Sequence, residues 1–131
     1  MKKLCLFLSM VYCVSVWAQD RKLSIVPIRA FEHQLQPLLK AHSKYIAALN
    51  NHQGSAAENK HILIQYEENR NNIIQLKIRF ITENNQTVEA LKMYAGLFYW
   101  LDYATRKRVF KILHPTLHKH SIAIELAALL Q

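Results

Sequence analysis

The densest run of chemically capable side chains lies between Tyr94 and Arg108. Tyr94, Phe98, Tyr99, Trp100 and Tyr103 put five aromatics into ten residues, and Arg106, Lys107 and Arg108 follow directly. A helix turns only one stripe of such a run toward a core. The remaining rings, Tyr99, Trp100 and Tyr103, must then meet another helix, a partner or solvent. Protein interfaces draw their anchors from Tyr, Trp and Arg. The candidate partner-binding residues are therefore Tyr99, Trp100, Tyr103, Arg106, Lys107 and Arg108. A central helix buried on most sides accounts for the same rings without any partner. Rings beside cations also suit single-stranded nucleic acid or an anionic membrane surface. The export signal described below argues against nucleic acid and leaves peripheral membrane contact open.

Other constellations carry less. His114, His118 and His120 form the most metal-like cluster, but Pro115 separates His114 from any helix that follows. His118 and His120 are two residues apart and point in different directions, whereas a shared zinc ion favours imidazoles four apart on one helix face. Only Glu125 is near enough to help, so no metal is expected. Covalent haem needs a Cys-x-x-Cys-His motif, and the only cysteines are Cys5 and Cys13. Non-covalent ligation through methionine and histidine would have to use Met93, an ordinary packing residue, with no histidine singled out as its partner, and no cofactor is expected. With two glycines in the chain, a nucleophile elbow, a phosphate loop and a dinucleotide fingerprint are all excluded. Glu67, Glu68, Glu83 and Asp102 could supply paired carboxylates, but no spacing brings two together. Asn85-Gln86-Thr87 matches a glycosylation acceptor that matters only in a eukaryotic secretory pathway.

Compartment is read from the N-terminus. Lys2 and Lys3 precede an uncharged run from Leu4 to Ala18, shorter than the roughly 20 residues a membrane-spanning helix needs. A basic start, a short apolar stretch and the small residues Val16 and Ala18 before Gln19 describe a bacterial secretory signal. Residues 1–18 are thus expected to be a signal peptide of the Gram-negative type, and residues 19–131 a single domain in the periplasm or beyond. Both cysteines fall in the signal, so the exported chain must hold together by its core alone. Of 17 Lys and Arg, the signal takes two, leaving 15 against 9 acidic residues and a net charge of +6. That excess favours anionic partners.

The elements that must position these side chains read as helices. Two glycines and three prolines offer little of the turn chemistry that sheets require, and apolar residues recur at three- and four-residue spacing. A first helix is expected over 24–50, with a kink or short break near Gln36 caused by Pro37. Ser55 and Glu58 form a capping box that opens a second helix ending near Glu83. Its core stripe is Ile62, Tyr66, Ile73, Leu76 and Phe80, with Asn59 and Asn69 filling two of its places and Ile74, Ile78 and Ile81 widening it. The cluster Asn69, Asn71, Asn72 predicts a local irregularity. A third helix is expected from Thr87 as far as Leu113, stopped by His114-Pro115. The last begins at Pro115, or is capped by Ser121, and ends in a buried apolar run from Ile122 to Leu130.

These readings converge on an all-α fold, a small antiparallel bundle of about four helices. The expected function is that of an exported, non-enzymatic binding protein, such as an inhibitor, an immunity protein or a chaperone. Its partner would be another protein or an anionic component of the envelope. The alternative is a small periplasmic enzyme or enzyme accessory, whose sign would be a concave pocket holding two titratable side chains with shifted pKa values.

Overall fold

The computed structural model describes residues 28–51 and 54–131, and every regular element among them is helical. Residues 1–18, expected to be a signal peptide, lie outside the described residues, as does Pro27. Among the described residues no helix is long and apolar enough to cross a membrane. The chain divides into two compact units, Met1–His33 and Gln34–Gln131. Of the first, only residues 28–33 are described, and they are helical.

Helix α1 covers residues 28–50 without interruption, so of the kink or short break expected near Gln36, the break is absent. Pro37 removes the hydrogen bond to the carbonyl four residues earlier, that of His33. His33, Gln36 and Pro37 are all exposed, and water can take the place of the lost donor there. The boundary between the two units falls at this same carbonyl.

Helix α2 spans Ala56–Glu83 and opens on the expected capping box. The Ser55 backbone N–H donates to Glu58 Oε2 at 2.7 Å, and the Glu58 N–H donates to Ser55 Oγ at 3.3 Å. The Ser55 backbone N–H first, and the Ser55 side chain second, hold the Glu58 carboxyl below its ordinary pKa. No irregularity occurs at the asparagines. Asn71 and Asn72 are exposed and compete with nothing. Asn69 is buried and donates from Nδ2 to the Leu38 carbonyl at 3.0 Å, which pins α1 to α2.

The single third helix expected over Thr87–Leu113 is two helices. Helix α3 spans Val88–Leu97 and is capped by Thr87, whose side chain accepts the Ala90 N–H. A 3₁₀ turn, Phe98–Trp100, follows, and Leu101 is extended. Asp102 then caps helix α4, Tyr103–Ile112, by accepting the Thr105 N–H at 2.9 Å and the Thr105 hydroxyl at 2.7 Å. Those two bonds, the backbone one first, depress the Asp102 pKa. A side-chain oxygen offering the backbone a bond at a cap outcompetes the apolar periodicity that runs through this point.

The last segment also departs from expectation. A 3₁₀ turn, Pro115–Lys119, precedes helix α5, Ser121–Ala128, and the cap is His120 rather than Ser121. Among the described residues the architecture is therefore all-helical, with five helices where about four were expected.

One core joins α2 to α5. Ile81, Ala90, Leu91, Tyr94, Leu97, Val109 and Ala123 are fully buried, and Phe98 and Leu113 nearly so. Helix α3 lies against α2 on one side and α5 on the other, while α4 touches α2. The C-terminal apolar run is only half used. Ala123, Leu126 and Leu130 face the core, but Ile124 and Leu129 are exposed.

Candidate functional site

The break between α3 and α4 decides what the candidate residues do. It places Tyr99 and Trp100 on the 3₁₀ turn, and Tyr103, Arg106, Lys107 and Arg108 on a separate helix. The six residues consequently divide into an inward and an outward group.

Trp100 turns inward. Its ring centroid lies 5.5 Å from that of His42 on α1, and His42 stacks on Tyr66 of α2 at 4.9 Å. From α2, Lys77 Nζ and Arg70 Cζ lie 5.5 Å and 5.7 Å from the Trp100 ring. Burial in this nest lowers the Lys77 pKa. Arg70 also donates to the Trp100 carbonyl at 3.2 Å and pairs with Glu67 at 3.6 Å. Trp100 thus meets other helices. His42, Tyr66, Arg70 and Lys77 were not legible as its companions, because only folding brings them to it.

Arg106 also turns inward. Its Nε donates to the Phe98 carbonyl at 2.8 Å, and its guanidinium lies 4.7 Å from the Phe98 ring and 5.8 Å from Tyr99. The Tyr94 hydroxyl donates back to the Arg106 carbonyl at 3.0 Å. Two arginines, Arg70 and Arg106, therefore serve carbonyls of the turn that ends α3, where cations complement the helix dipole. Burial pushes the Tyr94 phenol up to about 12, against a smaller downward pull from Arg106.

The outward group is Tyr99, Tyr103, Lys107 and Arg108. Tyr99 is 76% exposed and Tyr103 49%. Lys107 Nζ lies 4.7 Å from the centroid of the Tyr103 ring. The Tyr103 hydroxyl donates to the Leu130 carbonyl at 2.9 Å, which ties the ring to the segment that follows α5. Helix α4 contains no acidic residue. None of Lys107, Arg108 and Lys111 has an ion-pair partner among the described residues, and all three are exposed.

The histidine cluster serves the backbone. His114 Nδ1 accepts the Thr116 N–H at 3.3 Å and lies 2.9 Å from the Thr116 hydroxyl. His120 Nδ1 accepts the Ile122 N–H at 3.3 Å. His118 stacks on Phe110 with centroids 4.7 Å apart. Among the described residues no group of three His, Cys, Asp or Glu side chains could hold a metal ion.

No protein-family model matches the chain, and no curated protein or solved structure is significantly similar to it.

Proposed function

We propose that this chain is an exported, non-enzymatic binding protein, a small antiparallel bundle that recognises another protein through the outward face formed by Tyr99, Tyr103 and α4. The observation that carries this reading is the grouping of exposed Tyr99 and Tyr103 with the exposed cations of α4, which have no ion-pair partner among the described residues. Tyrosine offers a large rigid contact at low entropic cost. Here Tyr103 is already held by its hydroxyl, so less freedom is lost on binding. The basic, short and uncharged-cored N-terminus supports export. Roles such as inhibitor, immunity protein or chaperone fit a helical domain of this size in that compartment.

Trp100 and Arg106 belong to the scaffold beneath the surface. The experiment replaces Tyr99 with a photo-crosslinking phenylalanine analogue in the full-length protein expressed in its native cells. Irradiation should attach one protein in stoichiometric amount, and the same analogue at Lys60 should attach none. No adduct at position 99, or the same adducts at both positions, would remove this reading.

A further inference from the structure

Resting on that reading, we infer that the partner presents an acidic, carboxylate-rich segment, and that it docks on the outward face of α4 with Tyr99 and Tyr103 as flanking contacts.

Charge complementarity carries the inference. Lys107, Arg108 and Lys111 occupy the exposed face of α4, while Val109 turns to the core. Asp102, the N-cap carboxylate of α4, is engaged by Thr105. Three cations on one helix face, none with an ion-pair partner among the described residues, set up a local positive potential that an anionic surface would relieve.

The chemistry of the face separates the anionic candidates. A helix lying on a membrane buries a broad apolar face in the headgroup region. The exposed face of α4 offers only Tyr103 and Ala104 besides its cations, which gives nothing of that breadth to insert. Single-stranded nucleic acid stacks its bases on open aromatic faces. Here Arg106 lies within 5.8 Å of the Tyr99 ring and Lys107 within 4.7 Å of the Tyr103 ring, so cations compete for those faces. Carboxylates need neither insertion nor an open ring. They accept hydrogen bonds from lysine, arginine and the Tyr99 hydroxyl, and such charge-assisted bonds are the strong ones.

Poly-L-glutamate is the probe, titrated into the purified full-length protein at low and at about 1 M salt, where screening is nearly complete. Binding should be saturable at low salt and lost at high salt. The triple variant Lys107→Glu, Arg108→Glu, Lys111→Glu should weaken it by about tenfold or more. An equal charge change at exposed positions of α1 and α2, Lys40→Glu, Lys44→Glu, Lys60→Glu, should weaken it far less. Tyr99→Ala should also weaken it with an unchanged circular dichroism spectrum. Equal losses in both triple variants would overturn the inference, because net charge alone would then explain binding. So would tighter binding to phosphatidylglycerol vesicles or to oligothymidylate than to poly-L-glutamate. A partner crosslinked at Tyr99 whose capture survives the α4 triple variant would sink the acidic-segment inference and leave the binding-protein reading standing. Absence of any crosslink removes the reading itself.

Discussion

His118 lies nearly flat on Phe110, 15° from parallel, and its Nε2 is buried without a hydrogen-bond partner among the described residues. A buried polar atom left unpaired costs about 1–3 kcal/mol. His118→Phe keeps a flat ring in the stack and removes that atom, so it should stabilise the fold by about 1 kcal/mol. Chemical denaturation of the two proteins checks this, and a loss of stability would mean that Nε2 has a bonding role. His114 and His120, by contrast, use Nδ1 to receive backbone N–H groups. A reader of the sequence sees three imidazoles and thinks of a metal. Their use as caps was not legible, because it depends on backbone turns that Pro115 and Ser121 only hint at. The Ser55–Glu58 box was legible because both of its bonds close within four residues. Asp102 and Thr105 are just as local, but an apolar stripe that continues from Leu101 to Val109 concealed the cap. Within the candidate surface, helical geometry set Tyr99, Trp100 and Tyr103 off the core stripe without distinguishing among them. Which of them turns outward was not legible, since it depends on the 3₁₀ turn, and the companions of Trp100, namely Arg70, Lys77 and His42, come from distant segments.

At the scale of the element, α3 and α4 show how a short cap redirects a chain. An uninterrupted helix would have carried the five aromatics around its whole circumference. The 3₁₀ turn and the extended Leu101 instead send Phe98 into the core and Tyr99 to the surface. All-helical character was plain from periodicity, while the division into five helices rested on caps hidden inside apolar runs. Gly96 sits near the end of α3, exposed, and a Cβ built there would meet nothing within 4 Å. A glycine within a helix costs roughly 0.5–1 kcal/mol relative to alanine. Gly96→Ala should therefore raise stability by about that amount. Thermal unfolding followed at 222 nm measures it, and a lower midpoint would show that α3 is not helical through this position.

For the whole molecule, Tyr94 is the point where the packing of α3 on α4 becomes sensitive to alkali. Its phenol is fully buried, and its pKa rises from 10.0 to about 12 in the fold. Between those values the folded chain keeps a proton that the unfolded chain has released, so stability falls as pH rises. It is intact below pH 10 and declines progressively toward pH 12. Tyr94→Phe should flatten this limb while costing about 1 kcal/mol at neutral pH for the lost bond to the Arg106 carbonyl. Denaturation midpoints at several alkaline pH values decide it, and an unchanged slope in the variant would remove Tyr94 as the cause. The nest around Trp100 has a different consequence, an optical one. In a Trp17→Phe background, Trp100 becomes the chain's single indole, seated where α1, α2 and the turn after α3 meet. Its emission then reports the seating of α1 separately from the melting of the remaining helices, and gives the molecule an intrinsic gauge of whether its parts come apart in one step or two.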